Sequence, residues 1–301
     1  MKKFIITVIS LVMAAATAVS LASCANANTV SIINIDLTEE EYVIGVNKNN
    51  TQLKEQLNGM LAELNSEEGM TVGNEKVTVK SLYEAEMAAM ANGTEITAVT
   101  GVKSTSTNRA EELVVVTNTG FKPFEYPTGS TGSGNNYGGV DMQMVKIFAD
   151  KLGKQLVIID TAFNVVVETV QAGTADIVVA GLSYSEERAE KVDFTVPYYS
   201  TTQRIAVLED DAALFENCTT AEQVNAVIKE FGKVNAGAAR AQTGLLYLEG
   251  SEDFGFEGFE NVNAQAYDTI LLAVTDLSYG KIKFVCGDKD TLASAVKAVN
   301  K

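Results

Sequence analysis

The chain reads as an α/β protein in two lobes, and three observations carry that reading. Short β-branched runs alternate with amphipathic helical stretches from Leu113 onward. A second series of the same kind follows Tyr199. The 301 residues, 46% of them hydrophobic, suffice for one large domain or for two lobes with cores of their own.

In the first series, LVVVT at 113–117 is expected as a buried strand. VDMQMVKIFADKLG follows, with Val140, Met144, Val145, Phe148 and Leu152 at helical spacing and Gly153 as the C-terminal stop. LVIID at 156–160 is a second strand, VVVETVQAG a short helix ending at Gly173, and DIVVAG at 176–181 a third strand. Strands linked by crossover helices imply a parallel sheet covered on both faces. The glycine-rich GSTGSGNNYGG at 129–139 lacks the G-x-x-x-x-G-K pattern, so it reads as a hairpin loop rather than a phosphate cradle.

In the second series, TQRIAVL is a strand, TAEQVNAVIKEFG at 220–232 a helix and VNAGAA a strand. YDTILLAVTDLSYG at 267–280 is a helix ending at Gly280, and KIKFVCGD at 281–288 the last strand. Between Asn92 and Glu112, NGTEITAVTGVKSTSTNRAEE has no strong periodicity and reads as a linker or long surface loop.

Composition removes several function classes. A net charge of −16, from 39 acidic and 23 basic residues, opposes nucleic-acid or anionic-membrane binding by field alone. There is no His and no Trp, which excludes Ser-His-Asp hydrolysis, Cys-His catalysis and His-based metal sites. No cofactor and no metal is expected. Residues 1–24 combine two lysines, an apolar run and small residues before a cysteine, the layout of an export signal. The alternative is a membrane-spanning helix. Leu21-Ala22-Ser23-Cys24 resembles a bacterial lipobox, which implies a signal peptide over 1–23, a diacylglyceryl anchor on Cys24 and a short anchored linker over 24–28. Two acyl chains suffice for stable attachment. Cys218 and Cys286 either pair outside the cell or, the commoner fate, are buried as small hydrophobes.

In open α/β sheets, ligands bind beyond the carboxyl ends of the strands. Asn118, Gly120 and Phe121 follow the first strand, Thr161 and Phe163 the second, and Gly181, Ser183 and Arg188 the third. Gln242, Thr243 and Asp288 hold the corresponding positions in the second lobe. One cation, one anion, two aromatics and several hydroxyl or amide groups suit a zwitterion. A guanidinium fork matches a carboxylate bidentately, and a carboxylate accepts from an ammonium group. Duller readings stand beside these: Arg188 as a solvated helical charge, Asp288 as a turn residue, Phe121 and Phe163 as core aromatics.

At GGVDMQMVKIFADKLG, FNVVVETVQAGTADIVVAGLSYSEERAEKVDFTVPYYSTTQ and QTGLLYL, the chain resembles the extracellular solute-binding proteins (family 3) of polar amino-acid ABC transporters. The resemblance implies two Rossmann-like lobes joined by a two-strand hinge, the type II periplasmic binding-protein fold. It implies that Arg188 binds the ligand carboxylate, helped by Ser183 and Thr243, while Asp288 and the Gly181 carbonyl take the ammonium. Phe121 and Phe163 match the aromatic walls, and Asn118 a position that reads the ligand side chain. Asn164 departs from a common acidic residue, and NAGAARAQTG matches the usual glycine-threonine loop only loosely.

The order of the chain is unusual for this family. LTEEEYVIGVNKNN at 37–50 and the helix TQLKEQLNGMLAEL resemble a segment that follows the last strand of the second lobe, yet here they precede the first lobe. The chain stops at AVKAVNK, where the family continues into something like VSIINIDLTEEEY. A circular permutation is expected, with 29–40 and 203–301 forming the second lobe, 44–200 the first, and 93–110 bridging the former ends. An unrelated N-terminal extension is the alternative.

The function implied is that of a monomeric, membrane-anchored binding protein. It would close on a free amino acid and hand it to the permease of an ABC importer, without enzymatic activity. A dehydratase-like enzyme on the same scaffold is the runner-up, and a ligand-sensing module the third reading. Turnover of a bound compound separates the first two, and neighbouring permease genes separate the third.

Overall fold

The computed structural model describes residues 27–94, 96–104, 109–129 and 135–301. The expected export signal and the lipidation residue Cys24 lie outside the described residues. Among the described residues no helix is long and apolar enough to cross a membrane.

Strand Glu112–Thr117 is buried along its whole length. Its alternate side chains enter two separate cores. Leu113 and Val115 join Ile158, Ile177 and the inner faces of helices Thr51–Asn65 and Val140–Leu152. Val114 and Val116 join Val166, Val170 and Val178 on the other side. A strand covered on both faces has no position where a polar side chain reaches water, which is why LVVVT reads as an unbroken apolar run. Gln155–Asp160 and Ile177–Val178 flank it in parallel. Gly45–Val46 and then Asp193–Phe194 extend the sheet antiparallel. Helix Val140–Leu152 stops where Gly153 turns left-handed at φ 65° and its N–H meets the Ala149 and Asp150 carbonyls.

The second sheet runs Val30–Ile33, Gln203–Leu208, Phe284–Asp288, Val234–Ala239, Val262–Tyr267. The first three strands are antiparallel neighbours and the last three parallel neighbours. Ile205, Val207 and Phe284 face one core. Ala206 and Val285 face the other, against the helices Ile270–Ser278 and Lys289–Val299. Asn300 sits beside the first strand, its side chain accepting from the Val30 N–H at 3.0 Å and donating to the Val30 carbonyl at 2.8 Å.

Between the sheets, strands Glu40–Tyr42 and Tyr199–Thr201 pair antiparallel, with Tyr199 opposite Tyr42. Alternation along the first of them buries Glu40 and Tyr42 and exposes Glu41.

Several elements differ from the sequence expectation. The third strand is Ile177–Val178, not 176–181, because its neighbour Gly45–Val46 offers only two residues and the chain turns at Gly181. Strand Val262–Tyr267 has no counterpart in the sequence reading, since VNAQAY shows neither a β-branched run nor clean alternation. Six parallel residue pairs with Val234–Ala239 hold it. It takes Tyr267 away from the expected helix, which starts at Ile270 behind Thr269, whose side chain caps the Leu272 N–H. The last strand begins at Phe284 rather than Lys281. Within the expected linker, Val99–Thr100 pairs with Asn136–Gly138, which also pairs with Tyr126–Pro127 in a three-stranded sheet. Cys218 and Cys286 are free thiols; Cys286 is buried in the second-lobe core as the small-hydrophobe reading expects, whereas Cys218 is only partly buried and packs against that core.

Candidate functional site

A narrow cleft of about 20 Å³ lies where the strand ends of both lobes meet the hinge, lined by Phe121, Phe163, Gly181, Ser183, Arg188, Thr243 and Asp288 together with Glu40, Tyr42, Gln203 and Gln242. Seven of the eight positions given a ligand role by the family resemblance are therefore brought together, and Gln242, marked by the strand-end rule, lines the cleft with them. Asn118 is not among the lining residues. Its amide donates to the Thr161 carbonyl at 2.7 Å and ties two neighbouring strand ends.

Arg188 sits on helix Glu186–Lys191, whose N-cap Ser185 accepts from the Arg188 N–H at 3.3 Å. The guanidinium donates through Nη1 to the Ser183 carbonyl at 2.6 Å. Removal from water lowers its pKa below the ordinary arginine value, yet it stays charged.

Asp288 ends strand Phe284–Asp288 and caps helix Lys289–Val299, accepting from the Asp290 N–H at 3.3 Å. Its Oδ2 accepts from Thr201 Oγ1 at 2.7 Å and from the Tyr42 hydroxyl. Burial pushes the carboxyl up to about 7, against the downward pull of those two donors.

Gly181 has φ 54°, and a Cβ there would stand 2.5 Å from the Phe121 ring. Only glycine lets that ring close against the strand end. The Gly181 N–H donates to Asp141 Oδ2 at 3.0 Å, which also accepts from Tyr198 Oη at 2.9 Å. Thr243 opens the helix Thr243–Glu249 and is buried.

Glu40, which the sequence reading assigned to the second lobe and not to the site, also lines the cleft. Its carboxylate accepts from Ser183 Oγ at 2.8 Å, Gln203 Nε2 at 3.0 Å and Thr38 Oγ1 at 2.8 Å. It therefore links elements of both sheets at the floor of the cleft. The available signal was the two-residue period of EEEY, which turns Glu40 the same way as Tyr42. Among the described residues no group of three or more His, Cys, Asp or Glu side chains is placed to hold a metal ion.

Two α/β lobes on a two-strand hinge thus bring one cation and two acids to a narrow cleft, a set of groups that suits a small zwitterion. The sequence pattern of the bacterial extracellular solute-binding proteins, family 3, matches residues 113–297, and the chain belongs to that family. The arginine-binding extracellular protein ArtP of Bacillus subtilis (strain 168) is 28% identical over 142 residues, 46% of this chain and 54% of that protein. Cyclohexadienyl dehydratase of Pseudomonas aeruginosa (strain PAO1) is 30% identical over 131 residues, 43% of this chain and 47% of that enzyme. The chain thus spans about half the length of these curated relatives. Among solved structures, the ancestral amino acid-binding protein AncCDT-1, a precursor of cyclohexadienyl dehydratase, superposes with a TM-score of 0.53 at 23% identity, covering 63% of this chain and 76% of that one. That likeness carries the fold, which is of the type II periplasmic binding-protein kind.

Proposed function

We propose that this protein is the substrate-binding lipoprotein of an ABC importer, taking a free amino acid between its lobes and delivering it to the permease. The carrying observation is that Arg188 from the first lobe and Asp288 from the second line one cleft, beside Ser183, Gly181 and Thr243. Arg188 receives the α-carboxylate with Ser183 and Thr243, and Asp288 with the Gly181 carbonyl receives the ammonium. Phe121 and Phe163 form the walls. Asn118, at the end of the first strand beside the cleft, is the position that reads the ligand side chain. A cleft of about 20 Å³ holds little more than one water. Admission of an amino acid therefore needs an open form, and contacts from both lobes exist only in the closed one, so binding shifts the hinge equilibrium. The names of the relatives, an arginine-binding protein among them, support an amino-acid ligand. Cys24 carries the lipid anchor, and the protein works as a monomer.

A thermal-shift screen of the twenty amino acids tests this. A ligand at about 100 times its dissociation constant adds about 2.7 kcal/mol to stability. A flat screen, followed by flat calorimetry, sinks the reading. The second reading, a dehydratase-like enzyme, is favoured by the dehydratase among the relatives and by an Asp288 carboxyl that holds its proton up to about 7. Chemical change of a bound compound would decide for it.

Circular permutation of the chain is part of the same proposal, and two observations support it. Strand Val30–Ile33 belongs to the second sheet although residues 113–297 carry the family pattern. Collinear matching of a re-cut chain leaves part of each relative uncovered, as is found here.

A further inference from the structure

The Arg188 guanidinium carbon has one aromatic ring of each lobe 5.6 Å away, Phe163 from the first and Phe254 from the second. Phe254 rides on a tight turn whose ends are tied by the Ser251 N–H to the Phe256 carbonyl at 2.9 Å and the Phe256 N–H to the Ser251 carbonyl at 2.8 Å. Phe256 is anchored against Tyr247 in the second-lobe core, with ring centres 5.2 Å apart. Phe254 stacks on Phe256 at 5.6 Å and an interplanar angle of 23°. One residue earlier, Asp253 Oδ1 accepts from the Glu187 N–H of the arginine's own helix at 3.2 Å. Two adjacent residues of one second-lobe turn thus hold the arginine-bearing helix of the first lobe. Beside them a cavity of about 220 Å³, lined by Phe163, Arg188, Asp253 and Phe254 among others, leaves the turn room to move.

We infer that the Ser251–Phe256 turn is a lid over Arg188, and that Phe254 is a positioning residue that steadies the guanidinium for a ligand carboxylate when the lobes close. The inference rests on the carboxylate-binding reading of Arg188. An aromatic face suits the task because it attracts the cation without occupying its N–H donors, which stay directed at the carboxylate. It also keeps water from the fork.

Phe254→Leu removes the π face and keeps the bulk; Phe254→Tyr restores the face. With L-arginine as the probe, Phe254→Leu is expected to raise Kd about 3- to 30-fold, chiefly through faster dissociation. Phe254→Tyr stays near wild type, and the melting temperature of the protein without amino acid is unchanged in both. Independently of any ligand, the Arg188 Nε–H resonance shifts in Phe254→Leu and returns in Phe254→Tyr, because it reads the ring directly. An unmoved resonance overturns the contact, and a moved resonance with unchanged Kd and dissociation rate overturns the lid. If wild-type protein does not bind L-arginine, the Arg188 reading fails for that amino acid, and the resonance alone decides for or against the turn.

Discussion

Tyr83 and Asp290 are joined by a 2.9 Å hydrogen bond that spans the two lobes. The other oxygen of the same carboxylate accepts from Tyr199 of the hinge at 2.8 Å. A helix of the first lobe, the hinge and the start of the last helix of the second lobe are thereby tied through one side chain. Tyr83→Phe keeps the ring packed against Phe124 and Tyr199 and removes only the donor. A hydrogen bond of net worth about 0.5–1.5 kcal/mol is lost from the closed form, so amino-acid affinity should fall about 2- to 10-fold. Calorimetry that finds no change would place the contact outside the closing motion.

Arg188→Ala should abolish detectable binding with the fold intact. The ligand carboxylate would be buried without its charged partner, at a cost of about 2 to 5 kcal/mol. Circular dichroism checks the fold and calorimetry the binding. Near-native affinity would remove the carboxylate role.

Asp288 gives binding a pH signature. Burial raises its carboxyl to about 7 in the ligand-free protein, whereas an ammonium group needs it ionised. Below pH 7, binding must release a proton, and affinity should fall as pH drops from 8 to 5. Titrations in two buffers of different ionisation enthalpy measure that proton. Asp288→Asn should weaken amino-acid binding about tenfold or more and abolish the proton release, while compounds without an α-amino group lose far less.

Glu125 and Asp141 make a second pH-dependent pair, in the first-lobe core beneath Gly181. Burial is the largest cause for both, raising Glu125 well above its ordinary range, with Asp141 adding to it, and Asp141 to about 6. An unfolded carboxyl ionises near pH 4, so the folded chain holds protons that the unfolded chain has released. The pair's contribution to the stability of the ligand-free protein is therefore fully present below about pH 4 and is lost as pH rises through about 6, where Asp141 ionises, and beyond, where Glu125 does. Glu125→Gln should flatten that decline. A melting temperature that rises from pH 5 to pH 8 would contradict the assignment.

Because Val30 and Asn300 are directly hydrogen-bonded, a short connection can join the second-lobe segments without straining either. A re-cut chain running from residue 111 to 301, through a short linker, then 29 to 92, is expected to fold and bind the same amino acid within about tenfold of the original affinity. Loop closure over a few residues changes stability by about 1 kcal/mol. Failure of that chain to fold would mean that 93–110 is structural rather than a bridge.

The elements legible in advance were those with a periodicity of their own. Val140–Leu152 with its Gly153 stop, and the buried runs at Glu112–Thr117 and Gln155–Asp160, announce themselves because burial selects residue type position by position. Val262–Tyr267 did not, since an edge strand of Asn, Gln and Ala is held by backbone pairing to a neighbour remote in sequence. In the site, the strand-end rule and the family resemblance marked Arg188, Asp288, Ser183 and Gly181. Neither marked Glu40, whose role depends on Ser183 and Gln203 arriving from elsewhere in the chain.

By itself, then, the sequence determined the two α/β series, the absence of histidine chemistry and the set of groups suited to a zwitterion, because composition and periodicity are local properties. Only the tertiary structure decided that Val30–Ile33 pairs with Gln203–Leu208, that Asn118 braces a strand end outside the cleft, and that Phe254 meets Arg188. Each of those contacts joins residues far apart along the chain, and their meeting is set by how two sheets pack about a hinge, which no local pattern encodes.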